Sequence, residues 1–244
     1  GVHSPEFAFE KDAGNVAEAI RSNGIRYPVV QDNDLATWNA WGNQYWPAEY
    51  LVDARGKVRA TKFGEGKYDE SEADIRALLA EAGRAAPDGY VQPKGAIVPS
   101  QETSPETYLG SERAQGWVDP PIDGVHDYGR APATLDLNAF AFGGTWKGAP
   151  QNATAVSGAT IDAQVQAKDI YLVLGRGRSG GSHVRVLLDG KPVTARQAGD
   201  DAPGGVVTVR GHRLYHLVSL PEVQRHRLAL RLDAGVSGYA FTFG

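Results

Sequence analysis

The run Tyr45-Trp46-Pro47-Ala48-Glu49-Tyr50-Leu51-Val52-Asp53 has the residue types to hold an extended ligand. A proline directly after a large aromatic and just before a strand-forming stretch is where a cis bond would present the preceding backbone to a partner. Trans is the commoner state, and the residues alone leave the isomer open. Trp38, Trp41 and Trp46 lie close together in sequence and make either an aromatic groove, with Trp46 foremost, or the filling of a core from a short helix. Bond-breaking chemistry is more restricted. Cys 0 excludes a disulfide, a thiolate nucleophile or a thiolate metal site within these 244 residues.

Other combinations fare worse. His212 and His216 have the i, i+4 spacing that chelates zinc on a helix, but they fall in a predicted strand, where four residues separate them by ~13 Å. Asp119, Asp123 and Asp127 offer hard oxygen donors for calcium, yet their spacing matches no EF-hand loop and fits solvated loop acids. No metal is therefore expected. The Gly175 to Gly181 run precedes a predicted strand where a phosphate loop would need a helix, so it reads as a hairpin loop, and no motif requires a cofactor. No Gly-x-Ser-x-Gly elbow supports a hydrolase triad. Carbohydrate would be recognised by exposed aromatic platforms; Tyr108, Trp117, Tyr128 and Tyr215 qualify by residue type, with core packing the default for each.

The elements that must position these groups change character along the chain. Ala13, Val16, Ala17 and Ile20 recur at helical spacing before Asn23-Gly24. Tyr27 to Val30 is extended, Asp32-Asn33-Asp34 offers caps to a short helix carrying Leu35, Trp38 and Trp41, and 49–53 with 57–63 make a hairpin. Asp69 and Glu72 resemble a capping box for a last helix bearing Ile75, Leu78, Leu79 and Ala82, which stops at Gly83. Residues 84–105 place four prolines among Gly, Ser, Gln and Lys and read as a linker. Beyond 106, short apolar runs bounded by Gly, Pro and Asp predict strands at 140–146, 160–166, 170–174, 184–188, 206–209, 214–218, 228–232 and 239–243, with Asp189-Gly190 the clearest tight turn. Strands without long helical patterns indicate an antiparallel sandwich.

Composition bounds the function. Twenty-five basic against 29 acidic residues give a net charge of −4, without the basic excess that nucleic acid demands. No run approaches the roughly 18 apolar residues of a membrane span, and no secretion signal opens the chain. With Met 0 and a start at Gly1, a processed or partial chain is expected.

Gly1-Val2-His3-Ser4-Pro5-Glu6-Phe7, Tyr27-Pro28-Val29, Asp32-Asn33-Asp34, Tyr45 to Asp53 and Phe63-Gly64-Glu65-Gly66 resemble the thioredoxin-like region of the DipZ family. Arg213-Leu214-Tyr215-His216-Leu217-Val218 and Gly238 to Gly244 are similar to strands of the sandwich that follows it, a domain like a carbohydrate-binding module. The resemblance implies an α/β plus all-β chain. Residues 1–83 would be an incomplete thioredoxin-like α/β domain, 84–105 a linker, and 106–244 an antiparallel, jelly-roll-like β-sandwich. It implies an extracytoplasmic thiol–disulfide oxidoreductase of the cytochrome c biogenesis type, tethered to the membrane. Its partners would be a membrane electron-transfer module and disulfide-containing proteins, with carbohydrate for the sandwich. Pro47 would be the cis-proline of the site and Trp46 would shape the substrate groove. The Cys-x-x-Cys pair of that family is not in this sequence and is expected upstream, so the chain alone is expected to be inactive. The alternative is a glycan- or protein-binding module on a thioredoxin-like scaffold.

Overall fold

A computed structural model describes residues 1–90, 102–177 and 182–244. In chain order the elements are β1 (Val2–His3), α1 (Ala13–Ser22), β2 (Val30–Gln31), α2 (Ala36–Ala40), β3 (Ala48–Val52), β4 (Val58–Phe63) and α3 (Tyr68–Glu81). Strands follow: β5 (Thr107–Tyr108), β6 (Gly124–Asp127), β7 (Phe140–Gly148), β8 (Ala153–Arg176), β9 (His183–Leu188), β10 (Lys191–Pro192), β11 (Val206–Thr208), β12 (Arg213–Leu232) and β13 (Val236–Phe243). The chain is thus α/β followed by all-β, a thioredoxin-like arrangement and then a sandwich. It divides into two compact units, Gly1–Pro5 with Tyr27–Pro99 and Glu6–Arg26 with Ser100–Gly244. The segment Glu6–Arg26, expected with residues 1–83, packs with the sandwich.

In the first unit β1 runs parallel to β2, with Val2 opposite Val30, and β3 pairs antiparallel with β4 from Ala48 opposite Phe63. The hairpin turn is tied by Asp53, whose carboxylate accepts the N–H groups of Arg55 (2.9 Å) and Lys57 (3.0 Å). These bonds, Lys57 foremost, hold the carboxyl below its ordinary value against the opposing effect of burial. Arg59 links that turn to the end of α3 through Asp53 (3.3 Å) and Glu81 (2.6 Å). The expected capping box does not form. Lys67 takes a left-handed conformation (φ 50°) and starts α3 at Tyr68, which puts Asp69 inside the first turn. Glu72 instead accepts from Arg76 one turn on. No Val, Leu, Ile, Phe, Tyr, Trp or Ala among the described residues of this unit is buried.

The second unit is built on β8 and β12, which pair antiparallel over most of their length. Each fuses two of the predicted strands. The fusion is possible because the ladder absorbs a corner: Ser219 pairs with Asp169 and Gln224 with Ala167, leaving 220–223 opposite Lys168 alone. Below the corner β8 also pairs with β7, and beyond it with β13. Strict alternation turns Ile161, Ala163 and Val165 of β8 and Leu228, Leu230 and Leu232 of β12 into one core. Large residues meet small ones there, as where Phe140 faces Ala163. The Asp189-Gly190 turn joins β9 to β10 with both residues at positive φ (50° and 76°), the hand that suits a two-residue hairpin.

Glu6–Arg26 docks through its aromatics. Phe7, only 2% exposed, meets Tyr239 edge-on at 5.3 Å, while Phe9 meets Tyr239 at 5.0 Å and stacks on His212 at 4.9 Å. Glu6 pairs with Arg113 at 2.8 Å. Asp12 then caps α1 by accepting the N–H groups of Gly14 and Asn15.

Candidate functional site

The site expected around Trp46 and Pro47 is organised by Asp32, which leaves β2 directly. Asp32 N–H donates to His3 O at 2.9 Å, and a left-handed Leu35 (φ 56°) turns the chain so that α2 starts over the Asp32 carboxylate. That carboxylate accepts Thr37 N–H (2.9 Å), Trp38 N–H (2.8 Å) and Ser4 Oγ (3.2 Å). Burial opposes its ionisation; the two amides and the hydroxyl outweigh it, and the carboxyl stays below its ordinary value. Fixing α2 fixes Trp38, whose ring lies 4.2 Å from that of Trp46 between centroids. Trp46 Nε1 donates to Ser4 O at 3.1 Å.

The Trp46–Pro47 bond is cis. Pro47 O accepts Gly64 N–H at 2.9 Å, and the β3 ladder begins only at Ala48, so Trp46 stands outside the ladder with its side chain 50% exposed. Trp41 does not join the pair of indoles but packs edge-on against Tyr50 at 4.8 Å, and Tyr45 lies 5.0 Å from Phe63. His3 Nδ1 is buried and has no hydrogen-bond partner among the described residues. The arrangement can bind by stacking and by apolar contact.

The four aromatic candidates of the second unit are drawn toward its core. Trp117 is 8% exposed, stacked on Phe142 at 4.0 Å with Nε1 donating to Tyr108 O. Tyr215 is fully buried, and its hydroxyl accepts Arg210 N–H (3.0 Å) and Gly211 N–H (3.3 Å) while donating to Gly211 O (2.9 Å). Neither offers an open face. Tyr108 is half-buried beneath Arg113, its hydroxyl shared between Glu106 (2.6 Å) and Glu6 (2.8 Å). Burial first, then the Glu106 and Glu6 carboxylates, push its phenol far above the ordinary value. Tyr128 is half-buried against Phe142 and His126, and its hydroxyl accepts Ile122 N–H.

Among the described residues no three His, Cys, Asp or Glu converge as metal ligands. His212 lies ahead of β12 against Phe9; His216 stacks on Tyr171 and contacts Asp169 at 3.1 Å. Asp123 accepts Ser111 Oγ and Asp127 accepts Gly129 N–H. Most of the Gly175 to Gly181 run, from 178 on, lies outside the described residues, as does 91–101 of the linker.

The family model described as "Thioredoxin like C-terminal domain" matches residues 104–244, the sandwich and its lead-in. The chain belongs to this family. The thioredoxin-like C-terminal domain here comes with a first unit that relatives share. Protein DipZ of Mycobacterium bovis and of Mycobacterium tuberculosis are each 38% identical over 251 aligned residues, covering 100% of this chain and 34% of theirs. The thiol-disulfide oxidoreductase YkuV of Bacillus subtilis is 31% identical over 80 residues, 33% of this chain and 54% of its own length. The chain is similar over its whole length to the C-terminal region of DipZ. It spans about a third of the length of the DipZ proteins it matches. No helix among the described residues is long and apolar enough to cross a membrane.

Sequence reasoning overlooked Ser4, whose hydroxyl and carbonyl join Asp32 to Trp46, and also the outward arginines of the thioredoxin-like C-terminal domain. The signal for the latter was present. In Leu228-Ala229-Leu230-Arg231-Leu232 and Val184-Arg185-Val186 the buried residues alternate with outward ones, which places Arg231 and Arg185 on one outer face.

Proposed function

We propose that this chain is the substrate-facing and C-terminal part of an extracytoplasmic thiol–disulfide oxidoreductase of the cytochrome c biogenesis type. Its electrons come from a membrane electron-transfer module and go to protein disulfides. The observation that carries this reading is the half-exposed Trp46, held by Trp38 and Ser4 at the entrance to β3. A Cys-x-x-Cys dithiol outside these 244 residues supplies the reducing equivalents. One thiolate attacks a substrate sulfur, forming a mixed disulfide and expelling a substrate thiolate. The second enzymic thiolate then closes the enzyme's own disulfide and releases the other substrate sulfur. Two electrons pass to the substrate and the two protons of the dithiol follow. Trp46 covers the apolar side of the bound segment and excludes water from the exchanging sulfurs, while Asp32 and Ser4 keep its ring in place.

The test uses the polypeptide isolated from its cells, with and without Trp46→Ala. Alkylation before and after reduction must reveal a reversible disulfide, and insulin reduction must fall about tenfold in kcat/KM in the variant, mainly through KM, as loss of one aromatic contact implies. A native polypeptide with no reducible thiols, or full activity in Trp46→Ala, would overturn the reading.

A further inference from the structure

The Glu6–Arg26 segment is seated on the sandwich through aromatic rings. Phe7 and Phe9 meet Tyr239 of β13, with Tyr108 and Val173 packed beside them. Polar ties hold its start, where Glu6 pairs with Arg113 and accepts the Tyr108 hydroxyl, and Ala8 N–H donates to Gln151 Oε1 at 2.9 Å. One further member of this seat is His212, the residue type whose charge changes between pH 5 and 8.

The His212 ring is packed between the segment and the sheet. Phe9 stacks on it at 4.9 Å with 26° between the planes, and Tyr239 meets it edge-on at 5.9 Å. On the sheet side it fills the space of the side chain that Gly175 of β8 lacks, since a Cβ there would collide with Cδ2 and Nε2. A neutral ring suits this seat. An imidazolium needs acceptors for two N–H groups, and no hydrogen bond reaches the ring among the described residues. Burial accordingly holds its pKa below 6.5. The charged groups nearby do not compensate. Arg113, 5.3 Å over the Phe7 ring, adds positive charge and is paired with Glu6, while Glu10 accepts Glu6 N–H. Arg213, next in sequence, is paired with Asp201. Glu106, bonded to the Tyr108 hydroxyl, has its carboxyl raised by burial, so acid acts there in the opposite sense and favours the packed state. Water reaches the ring when Phe9 lifts.

We propose that protonation of His212 releases Glu6–Arg26 from the sandwich, so that acid turns a docked segment into a slack tether and bares Tyr239. Hydrogen exchange of the 6–26 amides in the full chain, normalised to their intrinsic rates at each pH, reads the release. The freed ring regains its ordinary value of 6.5. The opening constant of the segment should therefore rise several-fold from pH 7.5 to pH 5.5, with a ceiling of about tenfold for one proton, while β8 and β12 stay protected. His212→Phe keeps the stack on Phe9 and should leave the opening constant independent of pH. Gly175→Ala drives the ring out of its seat and should release the segment already at pH 7.5. If that variant unfolds the sandwich, the comparison of His212→Phe with wild type decides alone. A wild-type opening constant that does not change with pH, an equal rise in His212→Phe, a rise shared by β8 and β12, or a segment still docked at pH 7.5 in folded Gly175→Ala overturns the proposal.

Discussion

Replacing Tyr215 by Phe separates a structural from a ligand-binding role at one of the aromatic candidates. The ring is fully buried and stays so in the variant, so no cavity opens. What disappears is one hydroxyl serving three main-chain groups, Arg210 N–H at 3.0 Å, Gly211 N–H at 3.3 Å and Gly211 O at 2.9 Å. A net hydrogen bond is worth about 1 kcal/mol, and a buried group left unpaired costs about 1–3 kcal/mol. Residues 210 and 211 are exposed, so water recovers part of the loss, and the longer contact to Gly211 N–H contributes least. The expected cost is therefore about 1–2 kcal/mol, against about 2–5 kcal/mol for Leu172→Ala in the same core. Native-state hydrogen exchange along the β8–β12 ladder measures opening of the sandwich itself, independently of the first unit. An unchanged opening free energy in Tyr215→Phe, or a loss as large as that of Leu172→Ala, would refute the reasoning.

Further outcomes follow from the same contacts. Because the first unit buries no large apolar side chain among its described residues, its amides should exchange faster than those of β8 and β12, whereas equal slow exchange would contradict the burial pattern. Burial lowers the His212 pKa below its ordinary 6.5, so the folded state prefers the neutral ring. The stability it confers is complete above the unfolded value and is lost as pH falls toward the folded value; His212→Phe, which keeps the stack on Phe9, should flatten the urea-midpoint profile below pH 6.5. Asp32 has a lowered pKa, so its cap on α2 persists above 3.8 and fails as acid protonates it. Asp32→Ala should reproduce at neutral pH the acid change in Trp38–Trp46 fluorescence, and an emission spectrum identical to wild type would count against that role.

Periodicity made most of the architecture legible. The hairpin expected at 49–53 and 57–63 forms one residue away at each strand's near end, and the tight turn at Asp189-Gly190 sits where the dipeptide placed it. The two long strands were harder, because Ala167 to Asp169 and Leu220 to Val223 look like breaks in sequence. They are a bulged corner in space, closed by Gly244 O accepting the N–H groups of Lys168 and Asp169. Glu72 misled because its spacing from Asp69 fits a cap while its true partner, Arg76, lies on the other side of it. At the Trp46 site, aromatic type and the proline were readable, but the link through the Ser4 carbonyl was not, since main-chain acceptors have no residue signature. Tyr215 and Trp117 illustrate the converse. Residue type alone cannot distinguish a platform from a core ring, and only their covered faces decide.

The docking of Glu6–Arg26 changes what it means to separate the two units. The chain passes from one unit to the other between Pro5 and Glu6, again between Arg26 and Tyr27, and a third time at the linker. Three covalent tethers join them where a simple tandem arrangement has one. A protease that nicks the linker therefore releases nothing, and a fragment starting after the linker loses Phe7 and Phe9 and bares the aromatic surface of Tyr239 that they cover. Such a fragment would be prone to associate through that newly exposed patch. Evolutionary exchange of this sandwich by cutting at the linker would carry the same penalty, so Glu6–Arg26 and the sandwich are bound to travel together.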